Sequence, residues 1–256
     1  MIVKLVLAIL GVALLAAVTA AVIAAASTRN ETVACLDDAT KVLQRIAPDP
    51  PNGIPEEVTA AAKCVAVVPR LLKGRFRLTA PRGKGVVTCR NLEGWSAPAF
   101  FTFSDGLWLP RFGVTDMSLI VVVMGQNARQ LLSTKKIEIG TDVSAIGGPI
   151  GRHVAPENYD RLNREMLTYS ISKGAFAPVS LEGATIREDR RSLVAIYGRA
   201  AVMQAALSGR LPVPPAARPF LAVVDGIVQR KSILERTRRL RTYVRMVRSE
   251  HFGRRF

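Results

Sequence analysis

Histidine and cysteine are scarce in this chain of 256 residues, which has two histidines (His153 and His251) and three cysteines (Cys35, Cys64 and Cys89). Without a Cys-x-x-Cys spacing, these residues argue against a closed Cys/His metal site. Three cysteines are too few for a disulfide framework, and whether any two of them pair stays open. A Ser-His-Asp triad would have to use His153, and no Gly-x-Ser-x-Gly motif supplies its serine. We therefore predict no catalytic residues, no metal and no cofactor.

Acidic residues are also under-represented, because 20 Asp and Glu stand against 36 Lys and Arg, for a formal net charge of +16. A protein with this balance is attracted to polyanions, either nucleic acids or anionic membrane surfaces. Hydrophobic residues make up 49% of the chain. This content excludes a disordered polyelectrolyte and is enough for a substantial core.

Charged residues are missing from Leu5–Ala26, an apolar run of 22 residues. A helix of that length spans about 30 Å, the hydrocarbon thickness of a bilayer. Residues 1–26 are therefore predicted to be a signal anchor or a signal peptide cleaved before Ser27, with a polar linker over residues 27–31. Both alternatives predict an exported protein, either membrane-anchored or periplasmic (extracytoplasmic). Export favours membrane lipid over nucleic acid as the partner.

The remaining pattern places helices at both ends of the chain and strands between them, which is typical of an α+β protein. A 3–4 spacing of apolar residues predicts a helix over Thr32–Ile46. Strand patterns on either side of Asn91–Gly94 predict a hairpin, and the apolar run Met117–Met124 predicts a strand buried on both faces. We expect one domain over residues 32–225. Its central sheet is mostly antiparallel, with a tendency toward a barrel, and is flanked by helices.

Several motifs occur in a fixed order between residues 40 and 225. They include Gly83–Val87, Trp95–Ala99, Gly140–Ser144, Gly148–Arg152 and Tyr169–Ala177. With these motifs the chain resembles the SYLF lipid-binding domain family. The resemblance implies binding of membrane lipids, phosphoinositides in eukaryotes, and of actin in some yeast members; it supplies no catalytic residues. The chain departs from the family where Arg75, Arg77 and Pro81 replace glycines around the first hairpin.

Two segments carry most of the excess positive charge. Residues 58–92 contain no acid, and an extended Lys73–Leu78 would place Lys73, Arg75 and Arg77 on one face. The alternative is a solvated face paired with acids from elsewhere. Residues 226–256 contain ten Arg and Lys against two Glu, a net charge of +8. This tail is predicted to be a basic amphipathic helix on a membrane surface. The alternatives are a helix packed on the domain and a nucleic-acid attachment.

These observations predict a non-enzymatic, membrane-associated protein that binds anionic phospholipid headgroups. The alternatives are a scaffold for an acidic protein partner or polymer and, less favoured, a lipid-modifying enzyme. Gly83–Gly85 is predicted to be a tight turn, since it lacks the spacing of a phosphate-binding loop. The candidate lipid-binding residues are all cations: Arg70, Lys73, Arg75, Arg77, Arg82, Lys84, Lys173, Arg238, Arg241, Arg245 and Arg248.

Overall fold

A computed structural model describes residues 2–46, 53–71, 82–104, 117–125, 128, 131, 134–150, 166–172, 175–179 and 181–228. The first element is a single helix, α1, from Ile2 to Ile46. No proline interrupts this segment, and alanine, the strongest helix former, recurs along it. In its second half the buried residues recur at a 3–4 spacing and pack on the domain: Thr32, Leu36, Ala39, Thr40 and Leu43.

The linker predicted at residues 27–31 is helical, which corrects that prediction. Its polar side chains do not stop the helix, because their hydroxyls bond to the preceding turn. Thr28 Oγ1 donates to the Ala24 carbonyl (3.0 Å) and Thr32 Oγ1 to the Thr28 carbonyl (2.7 Å). Threonine hydroxyls commonly back-bond in this way within a helix. The helix predicted to start at Thr32 is therefore the second half of a longer one.

The predicted location is a second correction. The apolar run was expected to export the protein and to hold it at a membrane or release it to the periplasm. This expectation is corrected: in the part of the chain that the structure describes, no helix is long and apolar enough to cross a membrane. The run lies in the same continuous helix as the residues that pack on the domain.

The other helices are short. Two of them flank the sheet near Gly198, which has φ of 92° and ends the first of the pair. Residues 190–208 therefore contain two short helices instead of one continuous helix. The elements are α2 (Glu56–Ala61), α3 (Arg190–Tyr197), α4 (Met203–Leu207), a 3-10 turn (Pro215–Ala217) and a helical segment over residues 218–228.

The helical segment 218–228 crosses the predicted boundary between domain and tail at residues 225 and 226. Phe220, Val224 and Val228 recur every four residues along it, and all three are buried. Packing of this stripe explains why the helix continues past Asp225. The remaining residues of the predicted tail, 229–256, lie outside the described residues.

Ten strands form one sheet within the described residues. In chain order they are β1 (Cys64–Leu71), β2 (Arg82–Asn91), β3 (Gly94–Trp95), β4 (Ala99–Ser104), β5 (Met117–Val123), β6 (Lys136–Glu138), β7 (Ala145–Gly147), β8 (Met166–Ser172), β9 (Ala175–Pro178) and β10 (Thr185–Glu188).

The spatial order of the strands is β6-β10-β4-β2-β1-β5-β8-β7, with β3 paired to β2 and β9 to β8. The β7–β8 pair is parallel and the other pairs are antiparallel. The sheet is curled, and the strands at the two ends of this order, β6 and β7, follow each other in the chain. The predicted α+β domain with a mostly antiparallel sheet and flanking helices is confirmed.

The core is built around β5, of which every residue is buried between β1 and β8. Cys64 on β1 and Cys89 on β2 are directly opposite each other, and both are buried. They form a disulfide, which settles the pairing that the sequence left open. On the same face of β2, Gly85 is opposite Phe101 of β4. A Cβ at Gly85 would lie 2.2 Å from Phe101 Cζ, so the aromatic ring fills the space beside the glycine.

Candidate functional site

A row of polar side chains crosses four neighbouring strands on one face of the sheet. Lys136 on β6 is opposite Arg187 on β10, Arg187 is opposite Thr102 on β4, and Thr102 is opposite Lys84 on β2. Directly opposite residues in an antiparallel pair point to the same side. The adjacent residues Ile137, Ile186 and Phe103 are buried on the other side.

A second row follows on the same face, two residues further along each strand. It contains Glu138, Thr185, Ser104 and Arg82, which are again opposite one another in that order. Four strands at a spacing of about 4.8 Å make the two rows about 14 Å wide. We call these eight residues the cationic face: Arg82, Lys84, Thr102, Ser104, Lys136, Glu138, Thr185 and Arg187.

One end of the cationic face forms an open depression of about 360 Å³ on β2 and β4. Its walls combine two cations with two hydroxyls, which are the groups that bind a phosphate or a carboxylate. It is lined by Arg82, Gly83, Lys84, Thr102, Phe103 and Ser104.

The cations of this face differ in how they are compensated. Lys136 forms an ion pair with Glu138, and Lys84 lies within 4 Å of two carboxylates. Arg82 and Arg187 are exposed, and neither forms an ion pair with another residue in the described ranges. Lys136 and Arg187 are also directly opposite, an arrangement that is unfavourable between like charges. The face therefore carries uncompensated positive charge.

The structure brings together two of the predicted lipid-binding residues, Arg82 and Lys84. Arg70 lies on the adjacent strand β1, where its guanidinium is 3.8 Å from Asp38 of α1. The predicted Gly83–Gly85 turn is wrong, because these residues are within β2. The other candidates fall outside the described residues: Lys73, Arg75, Arg77, Lys173, Arg238, Arg241, Arg245 and Arg248.

Sequence reasoning missed Arg187, Lys136 and the hydroxyls of Thr102 and Ser104. Thr102 and Arg187 are 85 residues apart in the chain and meet only through the β4–β10 pairing, where Thr102 Oγ1 also donates to the Arg187 carbonyl (3.4 Å). One feature of the sequence could have indicated the two hydroxyls. Apolar and polar residues alternate from Phe101 to Ser104 in β4, and in the structure these residues are alternately buried and half-buried. Alternation predicts which side chains share a face but not which strand is adjacent.

Cys35 of α1 lies next to this face, with its Sγ 3.9 Å from the Lys84 carbonyl oxygen. Burial raises the pKa of the Cys35 thiol to about 12; the charge of Lys84 opposes the shift, and Asp38 and Asp189 add to it. The thiol is therefore neutral at physiological pH and a weak nucleophile. Within the described ranges, no three His, Cys, Asp or Glu residues are grouped as metal ligands. Both histidines lie outside those ranges.

Fold and surface together define an α+β domain with a cationic sheet face. The family model described as "Las17-binding protein actin regulator" (Ysc84) matches residues 106–227. Protein YSC84 of Saccharomyces cerevisiae is 33% identical over 176 residues, which cover 67% of this chain and 37% of that protein. The chain belongs to the Ysc84 family, which is the SYLF family, and the resemblance drawn from its motifs is confirmed.

Two further relatives have names that describe binding or a domain. LAS seventeen-binding protein 3 of S. cerevisiae is 31% identical over 176 residues, covering 67% of this chain and 38% of that protein. SH3 domain-containing YSC84-like protein 1 of Homo sapiens is 27% identical over 197 residues, which cover 76% of this chain and 57% of that protein. The chain thus spans little more than a third of the yeast relatives' length. Arg187 lies inside the region matched by the family model, whereas Arg82 and Lys84 precede it.

Proposed function

We propose that the chain is a non-enzymatic binding protein whose cationic face holds the anionic headgroup of a phospholipid at a membrane surface. The observation that carries this proposal is the pair of uncompensated arginines, Arg82 and Arg187, on the same face as the hydroxyls of Thr102 and Ser104. Guanidinium groups bind phosphate through two parallel hydrogen bonds, and the hydroxyls supply further donors. The net charge of +16 attracts the whole protein to an anionic leaflet.

Reversing both arginines, by Arg82→Glu and Arg187→Glu, should weaken binding to anionic vesicles by about thirtyfold or more, since the reversal adds repulsion to the lost attraction. The estimate takes about 1 kcal/mol for each basic residue close to an anionic surface, or about 2 kcal/mol for the pair. Flotation with phosphatidylserine vesicles measures the change. Added salt should weaken binding of the wild-type chain as well, since exposed charges are screened within about 8–10 Å.

A matched control reverses Arg45 and Arg218, which are exposed on α1 and on the helical segment 218–228. It changes the net charge equally but leaves the cationic face intact. Because all four side chains are exposed, the melting temperatures should stay close to that of the wild type. Equal loss of binding in both double variants would show that only net charge matters and would contradict the assignment of the face.

A second candidate function is the binding of an acidic protein segment on the same face. It is supported by the name of one relative, which describes binding of a protein, LAS seventeen. A protein-binding scaffold should be indifferent to lipid composition, so equal flotation with phosphatidylserine and phosphatidylcholine vesicles would favour it. Strong preference for the anionic vesicles would favour the lipid function.

The basic tail is proposed as an additional membrane element, with its boundary moved to follow the buried Val228. A peptide of residues 229–256 should gain helicity on anionic vesicles, because its cations and apolar residues separate onto opposite helix faces. The chain truncated after Val228 should keep the melting temperature of the full chain. Circular dichroism measures both quantities; a peptide that stays disordered on anionic vesicles, or a truncated chain that unfolds, would contradict the proposal.

A further inference from the structure

Lys84 lies between two carboxylates that differ in how firmly they are held. Its Nζ is 3.5 Å from Glu31 Oε2 and 3.6 Å from Asp189 Oδ2. The Asp189 side chain is only 8% exposed, and its carboxylate caps α3 by accepting hydrogen bonds from Ser192 N (3.2 Å) and Ser192 Oγ (2.7 Å). The Glu31 side chain is 63% exposed and forms no second ion pair with a described residue. Asp189 is therefore a fixed partner of Lys84, and Glu31 is a replaceable one.

The Glu31 carboxylate contacts the ammonium group of a residue that lines the depression. Lys84 lines the depression together with Arg82, Thr102 and Ser104. The helix passes directly over β2 at this point, because Cys35, one turn after Glu31, lies against the Lys84 carbonyl. The Glu31 carboxylate thus takes a coordination position on Lys84 that a phosphate oxygen would otherwise take.

We infer that Glu31 is an intramolecular competitor of the cationic face. It binds Lys84 while the face is empty, and the phosphate group of a ligand displaces it, while the Lys84–Asp189 contact remains. This inference rests on the proposed headgroup function and adds to it a residue that lowers affinity. Exposed ion pairs contribute little, so releasing Lys84 from Glu31 should raise affinity for a phosphate ligand about two- to fivefold.

The test measures binding of the full chain to vesicles of phosphatidylcholine mixed with phosphatidic acid. Glu31→Gln removes the competing charge, and Asp37→Asn is the control. Asp37 is exposed on the same helix and forms no ion pair with another described residue, so its replacement changes net charge equally. Glu31→Asp keeps the charge but shortens the side chain by one methylene, which draws the carboxylate away from Lys84.

The inference is supported if Glu31→Gln binds more tightly than the control Asp37→Asn and Glu31→Asp binds more tightly than the wild type, since each comparison is made at equal net charge. Binding of Glu31→Gln equal to or weaker than that of Asp37→Asn overturns it. The proposed function fails separately, when the wild type ignores phosphatidic acid or the Arg82/Arg187 reversal has no effect. Soluble glycerol phosphate identifies the source of the phosphate. If Glu31→Gln raises the affinity for glycerol phosphate as much as the affinity for vesicles, the ligand is a free phosphate group. If it raises the affinity for vesicles alone, the ligand is a lipid headgroup.

Discussion

Loss of the Cys64–Cys89 disulfide should lower the free energy of unfolding by about 3.5 kcal/mol. The bond closes a loop with a sequence separation of 25 residues, and the loop-closure entropy removed from the unfolded chain corresponds to that amount at 25 °C. For a protein of this size the melting temperature should fall by about 10 °C. The variant is Cys64→Ala with Cys89→Ala, because alanine leaves no unpaired polar atom at two buried positions.

The matched control is Cys35→Ala, which removes the free thiol and keeps the disulfide. It should melt within a few degrees of the wild type. Thermal melts are compared with and without a reductant that is added to the unfolded protein before refolding. Reduced wild type should then melt like the double alanine variant. Equal melting of oxidised wild type and the double variant would show that the bond contributes nothing to stability.

Gly85→Ala should destabilise the domain by about 3 kcal/mol, because the new methyl group would overlap the Phe101 ring. Its Cβ would be 2.2 Å from Phe101 Cζ and within 2.7 Å of both Cε atoms. The ring is buried, with 1% of its surface exposed. Overpacking of this kind typically costs about 1–3 kcal/mol and occasionally more. Urea unfolding at equilibrium measures the change.

A double-mutant cycle identifies the ring as the cause. Phe101→Leu should relieve the overlap, so the double variant should be little less stable than Phe101→Leu alone, with a coupling of about 1–3 kcal/mol. Gly226→Ala is the control, since its Cβ would meet no atom within 4 Å. That change lies in a helical segment and should be neutral or slightly stabilising. Additive effects of Gly85→Ala and Phe101→Leu would contradict the packing account.

Local patterns predicted the central part of the sheet. The sequence of residues 91–94 predicted the turn between β2 and β3, where Arg90 is opposite Trp95 and Asn91 is opposite Gly94. The apolar run that became β5 predicted burial on both faces, which is confirmed. In each case the signal lies within about ten consecutive residues, so no knowledge of distant partners is needed.

Distant pairings account for the errors. Gly83 and Gly85 were predicted to form a turn, but their lack of side chains accommodates β1 and the Phe101 ring, which only the strand register shows. The cationic face was missed for the same reason. Arg187 and Lys84 are about two strand spacings apart in space but about a hundred residues apart in the chain. The apolar run at the start of α1 continues without a break into the part of the helix that packs on the domain, a continuity that length and hydropathy do not reveal.

The short edge strands of the curled sheet have a consequence for self-association. β6 and β7 contain three residues each, and β6 carries Lys136 and Glu138 beside its free edge. A long, flat, apolar edge invites another chain to add a strand, whereas short and charged edges discourage it. The longest strands, β1 and β2, each lie between two neighbouring strands and are not at the ends of the sheet. The described sheet is therefore a poor template for edge-to-edge aggregation, even though its central strands are rich in valine and isoleucine.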